Sequence, residues 1–239
     1  PANSGLYYRK VWLMSEKPHI VKSYEEQLQL LKDTIVKMGA SVEKQLEQTI
    51  QSLVKKDTSL ADKSIKDDEK TDKYELHIEE QVVNLIALRQ PMAIDLRETV
   101  VALKVSSDLE RIGDLAKNIS KRTLKVGTDL PSDIIKNLEI AGLKAAKQVN
   151  SVLNAYLHRA KDTAENVWNS DEEIDQLTNT NMEAAIKHLE KKKEDINKIT
   201  QLLFMLKNIE RIGDHATNIA EQVYFLITGD YLEGERPKG

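Results

Sequence analysis

The sequence lacks cysteine altogether and contains little glycine, proline or aromatic residue. Of its 239 residues, none is Cys, 9 are Gly, 5 are Pro and 5% are aromatic. The absence of cysteine excludes thiolate catalysis, disulfides and Cys-ligated zinc or iron–sulfur sites. With 40% hydrophobic and 31% charged residues, the composition is typical of a helix-rich soluble protein and not of a sheet protein.

Long apolar runs and a strong excess of one charge are also missing. No uncharged stretch approaches the roughly 18 residues that a membrane-spanning helix needs, and no secretory signal is visible. The net charge is -4, with acids and bases interspersed along the chain. This pattern offers no basic face for nucleic acid, so we expect no nucleic-acid partner.

Apolar residues at spacings of three and four predict long helices over most of the chain. The first helix begins at about Tyr24, and its apolar stripe consists of Leu28, Leu31, Ile35, Met38, Val42, Leu46, Ile50 and Leu53. A second helix covers about residues 59–88 and is broken by Pro91. A third ends near Gly127, in the clearest linker of the chain, "KVGTDLP".

The same pattern of three helices then repeats. Helices are predicted from about Ser132, from about Thr163, and over a last apolar stripe that ends before Gly229. The prediction is an all-α fold of two tandem three-helix bundles, six long helices related by a pseudo-two-fold internal repeat. We expect a first repeat over residues 14–126, a second repeat over residues 132–230 and a tail over residues 231–239.

The segment before the first helix has no helical period. It reads "PANSGLYYRKVWL" and is followed by Met14. We expect Met14 to be the native start and residues 1–13 to be a cloning remnant. A flexible native arm is the alternative.

Charged motifs show that the duplication is specific. "ERIGDLAKNI" spans residues 110–119 and "ERIGDHATNI" spans residues 210–219, with eight of ten positions identical. On the middle helices, "DDEKTD" at residues 67–72 matches "SDEEID" at residues 170–175. Each repeat therefore carries acidic residues on two neighbouring helices.

Acidic and amide side chains four residues apart share one face of a helix, away from its apolar stripe. The first acidic cluster is defined as Asp68, Asp72, Glu110, Asp114 and Asn118, and the second acidic cluster as Asp171, Asp175, Glu210, Asp214 and Asn218. Like charges at this spacing repel, and a cation between the helices would reverse that cost. Such oxygen ligands suit Mg, Ca, Mn or iron, and carboxylates can bridge more than one ion. We expect metal sites outside the hydrophobic interior.

A solvated acidic face is the alternative, with Arg111 and Arg211 neutralising their neighbours. Gly113 and Gly213 lie within both decapeptides, although glycine inside a helix costs about 1 kcal/mol relative to Ala. Their presence indicates either close packing against another helix or room beside the acidic cluster.

The sequence offers no catalytic set. Its one Glu-x-x-His pair, Glu16 with His19, is interrupted by Pro18, unlike the pairs of di-iron bundles. No Ser-His-Asp set, P-loop or dinucleotide fingerprint is present. His215 occurs in one decapeptide only, and we expect it to be incidental. A non-enzyme is predicted, with a carboxylate-bridged metalloenzyme and a metal-independent helical scaffold as alternatives.

The paired "ERIGDxAxNI" motifs, the paired acidic motifs, "HIVKSYEEQLQLLKDTIVKMG" and "LRQPMAIDLR" resemble the PhoU family. The resemblance runs from about residue 19 to residue 230. It implies two three-helix bundles in a cytoplasmic protein that negatively regulates the phosphate-starvation response. Some family members carry multinuclear metal clusters on E/D-x-x-x-D motifs, which here correspond to Glu110, Asp114, Glu210 and Asp214 on the third helices. The middle-helix pairs of both clusters match the motif too, whereas the two asparagines are our extension.

The resemblance also implies cofactors and partners. The cofactors would be divalent or trivalent metal ions, namely iron, manganese, magnesium, zinc or calcium. The partners would be the ATPase subunit of a phosphate ABC transporter, a phosphate-sensing histidine kinase and a second copy of the chain. Contact with the membrane would be through these partners only. Lys70 and Thr71 stand where the second repeat has Glu173 and Ile174, so one cluster would bind metal more weakly.

Overall fold

The structure is a computed structural model that describes residues 4–126 and 132–234, with side chains described over residues 23–126 and 134–234. Over these ranges it contains α-helices and no strand. The helices are α1 Ser4–Val54, α2 Thr58–Arg89, α3 Ala93–Val126, α4 Ser132–His158, α5 Lys161–Asn169, α6 Asp171–Lys191 and α7 Ile196–Thr228. A 3-10 turn at Lys193–Asp195 precedes α7.

Local sequence signals explain where the helices begin and end. Asp57 caps α2, because its carboxylate accepts hydrogen bonds from the backbone N–H groups of Ser59 and Leu60. Gln90, just before Pro91, is left-handed with φ 48° and ends the same helix. Gly229, with φ 87°, ends α7 and donates its N–H to the carbonyl of Phe225. The predicted ends of these helices, before Pro91 and before Gly229, are confirmed.

The prediction of an all-α fold with three helical stretches in each repeat is confirmed, with two differences. Helix α1 begins at Ser4 and not near Tyr24. The middle helix of the second repeat is interrupted at Ser170, whereas α2 is continuous. The predicted linker at residues 127–131 lies outside the described residues.

Side chains bond to the backbone at the interruption at Ser170. Gln148 donates from Nε2 to the Ser170 carbonyl at 3.1 Å and to the Ser170 hydroxyl at 2.9 Å. The same hydroxyl donates to the carbonyl of Val167 at 2.9 Å. Serine bonds of this kind offer the backbone an alternative to the helical ladder. The interruption between α5 and α6 is called the joint of the second repeat, and the corresponding helix of the first repeat, α2, is continuous.

One hydrophobic core runs through both repeats. The predicted stripe of α1 faces it, with Leu31, Ile35, Met38 and Val42 fully buried. Helices α3 and α7 pack against each other and against the other helices of their own repeats, so the two third helices form the centre of the molecule. Burying one such aliphatic side chain stabilises the fold by about 1.5–3 kcal/mol. None of the described helices has an apolar segment that could cross a bilayer.

Candidate functional site: two acidic clusters

Helices α2 and α3 bring the first acidic cluster together. Asp68 is buried on α2, with 2% of its surface exposed, and Asp114 lies half-buried on α3. Lys117 of α3 bridges them, because its Nζ donates to Asp114 Oδ1 at 2.8 Å and also to Asp68 Oδ2. Glu110 is half-buried and Asp72 is exposed on the same side. The cluster therefore already contains one positive charge.

The remaining carboxylates of this cluster and the neighbouring Glu75 of α2 influence one another. Burial raises the pKa of Glu75 to about 7, and the charge of Glu110 adds to the shift. Burial, followed by the charge of Asp114, raises the pKa of Glu110. Burial, followed by the charge of Asp68, raises the pKa of Asp72. Carboxylates that are buried and that repel one another are stabilised by a proton or a cation. The charges of the first acidic cluster therefore favour a cation beside it.

Helices α6 and α7 place the second acidic cluster differently. Asp171 is buried, with 1% exposed, and accepts a hydrogen bond at Oδ1 from the Thr217 hydroxyl at 3.0 Å. Asp175 and Asp214 are half-buried on α6 and α7. Glu210 pairs with Lys207 one turn earlier, at 2.5 Å. Thr217 occupies the position that Lys117 has in the other decapeptide, so the second cluster has no lysine at this place.

The two predicted asparagine ligands have unlike surroundings. Asn118 is exposed. Asn218 donates from Nδ2 to Asp108 Oδ1 at 3.3 Å, across the contact between α7 and α3. His215 Nδ1 lies 2.8 Å from the same Asp108 oxygen. His215 and Asn218 thus both contact the first repeat through Asp108. The expectation that His215 is incidental to ion binding stays a prediction.

The expectation that all the acids lie outside the hydrophobic interior needs correction. Asp68 and Asp171 are buried between helices, because the face that they share with their exposed neighbours is itself covered by the third helix. The expected arginine pairing is present in the first acidic cluster, where Arg111 Nε lies 3.5 Å from Glu110. In that cluster, Lys117 lies closer to the carboxylates than Arg111 does.

The residues present fit a hard cation in their chemistry, since each cluster supplies carboxylate oxygens from two helices. Among the residues that the structure describes, no three His, Asp or Glu side chains stand close enough together to hold a metal ion as they are. Side-chain rotation would be needed in both clusters. In the first cluster, a metal ion would also have to displace the ammonium group of Lys117.

A buried glutamine in each repeat was missed by the sequence reasoning. Gln45 of α1 donates from Nε2 to Asp68 Oδ1 at 3.2 Å, to the Ser64 carbonyl at 3.1 Å and to the Gly113 carbonyl at 3.1 Å. It thereby ties three helices together under the first acidic cluster. Gln148 of α4, 103 residues later, is the counterpart of Gln45 in the second repeat. The same spacing of 103 residues separates Asp67 from Ser170 in the paired acidic motifs. A polar residue repeated within two apolar stripes was the available signal.

Other members of the site could have been found from spacing or from comparison of the repeats. Glu75 lies three residues after Asp72, on the same side of α2. Lys117 is one of two positions at which the decapeptides differ. Asp108 carried no local signal, because its role arises only where α3 meets α7.

The paired glycines allow the glutamines to approach. A Cβ at Gly113 would lie 3.1 Å from Gln45 Oε1, and a Cβ at Gly213 would lie 3.1 Å from Ile174 Cδ1 and 3.4 Å from Gln148 Oε1. These distances are at or inside ordinary contact. Close packing against another helix therefore explains both glycines.

Comparison with known proteins agrees with this architecture. The chain matches the PhoU domain family twice, over residues 35–123 and 138–223. It is 42% identical to the phosphate-specific transport system accessory protein PhoU homolog of Caulobacter vibrioides strain NA1000, over 92% of this chain and 96% of that protein. It is 40% identical to the Rhizobium meliloti strain 1021 protein of the same description, over 92% of this chain and 93% of that protein.

A solved structure shows the same fold. The crystal structure of PhoU from Pseudomonas aeruginosa superposes with a TM-score of 0.81 at 29% identity, covering 87% of this chain and all (100%) of that one. The two matches within this chain correspond to its two repeats, one on each side of the α3–α7 contact. On these grounds the chain belongs to the PhoU family.

Proposed function

We propose that this protein is an accessory protein of a phosphate-specific transport system and acts as a regulator without catalysing a reaction. The observation that carries the proposal is the pair of PhoU domains that fill most of the chain. Its relatives are described as accessory proteins of phosphate transport. The polar residues of the sites described above are carboxylates, amides and a lysine, a set suited to holding charge.

The finer role that we propose is that of a cytoplasmic adaptor. It would join the ATPase subunit of a phosphate ABC transporter to a phosphate-sensing histidine kinase, act as a homodimer, and hold the starvation response off when phosphate is abundant. Apolar side chains at the turn between α2 and α3 support protein–protein binding. Leu88, Met92 and Ile94 are 71%, 80% and 66% exposed, and a group of exposed apolar residues of this kind is typical of an interaction surface.

Pull-down from cells grown in high phosphate tests the adaptor role. The tagged protein should recover both the transporter ATPase and the kinase, and Met92→Asp should lose at least one of them. Ile186→Asp is the matched control, because Ile186 is 51% exposed on α6, in the other repeat. Failure of the wild-type protein to recover either partner would contradict the adaptor proposal.

We further propose that the acidic clusters bind metal ions as structural or regulatory cofactors. Asp171, Asp175, Glu210 and Asp214 would hold the ion in the second repeat, where no lysine takes the place of Lys117. Hard ions such as iron, manganese, magnesium or calcium suit these oxygen ligands better than zinc does.

Elemental analysis of gently purified protein tests this cofactor. Thermal melts should show a melting temperature that rises with the concentration of added Mn²⁺ and falls with EDTA. Asp175→Asn combined with Asp214→Asn should remove most of the rise, whereas Asp33→Asn, at an exposed acid on α1, should leave it unchanged. The iron-loaded protein should consume no oxygen, and steady oxygen uptake would favour the metalloenzyme alternative.

A further inference from the structure

A pocket of about 320 Å³ opens in the second repeat, between α4 and the joint of α5 with α6. Most of its polar lining consists of side chains that can donate hydrogen bonds, and the carboxylate of Glu173 lines it as well. Lys144, Lys147 and Ser151 come from α4, and Thr163 and Asn166 come from α5. The volume lies at the lower end of the range for small-molecule sites, about 300–1,000 Å³.

The equivalent place in the first repeat holds a carboxylate of the chain itself. Asp67 is the counterpart of Ser170, Lys44 that of Lys147, and both pairs are 103 residues apart. Asp67 is buried, with 8% exposed, and its Oδ1 accepts a hydrogen bond from Lys70 Nζ at 2.6 Å.

In the first repeat, two lysines stabilise a negative charge at this place. Burial acts to raise the pKa of Asp67, but the hydrogen bond and charge of Lys70, the charge of Lys44 and a hydrogen bond from Gln48 outweigh burial. The pKa therefore lies below its ordinary value. Lysine ammonium groups thus hold the carboxylate ionised in a partly desolvated place.

The second repeat keeps Lys147 in the position of Lys44, has Glu173 in the position of Lys70 and lacks the carboxylate of Asp67. Ser170 replaces the acid, and its hydroxyl is turned to the Val167 carbonyl and to Gln148. Lys144 pairs with Glu173 at the edge of the pocket. Lys147 is exposed and forms no ion pair with another residue of 23–126 or 134–234. The pocket therefore carries one positive charge in excess.

We propose that this pocket binds a small oxyanion, the carboxylate or phosphate group of a small molecule, in the place that Asp67 fills in the first repeat. Lys147 supplies the charge, and the Ser151 and Thr163 hydroxyls and the Asn166 amide donate hydrogen bonds. Charge-assisted bonds of this type are the stronger ones. The shorter side chain of Ser151, where the first repeat has Gln48, provides part of the space.

Calorimetric titration of the full chain tests the proposal, with inorganic phosphate in one arm and malonate in the other at constant ionic strength. The wild-type protein should bind one anion per chain, and the arm with the tighter binding identifies the preferred group. Lys147→Met, which keeps an unbranched side chain but removes the charge, should weaken binding about tenfold or more. Lys121→Met, at an exposed lysine of the first repeat, should leave the affinity unchanged.

Exchange of Asp67 and Ser170 gives the sharper test. Ser170→Asp supplies an internal carboxylate and should abolish binding in both arms, while the circular dichroism spectrum remains helical. Asp67→Ser combined with Gln48→Ser, which matches Ser170 and Ser151 of the second repeat, should open the equivalent place and raise the stoichiometry from one anion to two. Absence of binding to the wild-type protein, an effect that sodium chloride reproduces, or equal binding by wild type and Ser170→Asp would overturn the proposal.

Discussion

The ammonium group of Lys117 on α3 donates a hydrogen bond to the buried carboxylate of Asp68 on α2. Burial alone would lower the pKa of Lys117. The hydrogen bonds of Lys117 to Asp114 and Asp68 outweigh this effect, so its pKa is raised. The first acidic cluster thus has a cation of its own. The second has the neutral Thr217 at the matching position, so the two repeats differ in how they balance nearly the same acids.

Removal of this internal cation should destabilise the protein. Lys117→Met leaves Asp68 buried without its counter-charge, and we expect a loss of about 2 kcal/mol in the free energy of unfolding, between the values for exposed and buried pairs. Urea denaturation with EDTA present measures the loss. Lys121→Met should change stability little. Added Mn²⁺ should restore more stability to Lys117→Met than to the wild type, and equal responses would count against competition between lysine and metal.

Glu75 should make stability depend on pH. Its pKa is about 7 in the folded protein and 4.5 without the fold, because of burial and then the charge of Glu110. Between these values the folded state binds more protons than the unfolded chain, so the free energy of unfolding falls as pH rises through this window. Glu75→Gln should be more stable than wild type near pH 8, with a gap that narrows towards about pH 5. Glu183→Gln, at an exposed site on α6, should show no such gap in thermal melts.

Alanine at the two glycines should have unequal effects. At Gly113 the new Cβ would press on Gln45 Oε1 at 3.1 Å and on Thr71 Cγ2 at 3.3 Å, and we expect a net loss of about 1–2 kcal/mol. At Gly213 the nearest atom is the end of the Ile174 side chain, which can move, so the gain in helix propensity of about 1 kcal/mol should nearly cancel the strain. Chemical denaturation of both variants checks the order, and a more stable Gly113→Ala would contradict it.

The contact between the repeats should depend on Asp108. Asp108→Ala removes the acceptor for His215 and Asn218, and leaving such donors half-buried costs about 1–3 kcal/mol. In the Asp108→Ala background, His215→Ala should cost less than in the wild type, since the two effects share one hydrogen bond. A double-mutant cycle in urea measures this coupling. Asp33→Ala, at an exposed acid on α1, is the surface control, and strictly additive effects of Asp108 and His215 would refute the pairing.

Much of the fold could be predicted because helical periodicity and repetition are properties of the sequence itself. The stripe of α1 from Leu31 to Leu53 faces the core as its spacing requires. The paired acidic motifs predicted which helices would face each other. Gln90 before Pro91, and Gly229, end their helices for reasons of backbone conformation that are visible locally.

What could not be predicted depends on contacts between distant residues. The joint at Ser170 is contacted by Gln148, on another helix, and serine alone does not predict a break in a helix. Burial of Asp68 and Asp171 follows from how close the third helix approaches, which the helical face of a residue does not determine. The role of His215 required Asp108, 107 positions away along the chain.

The joint between α5 and α6 has a mechanical consequence. A continuous helix such as α2 resists bending along its whole length, because every turn is braced by the next. Where the run of backbone hydrogen bonds is interrupted at Ser170, this support is missing, and a force on α5 is transmitted less rigidly to α6. A protein bound to the first repeat would contact the continuous helix α2, whereas one bound to the second repeat would contact two shorter helices that can bend relative to each other. The two repeats would therefore differ in stiffness at the surfaces that they offer.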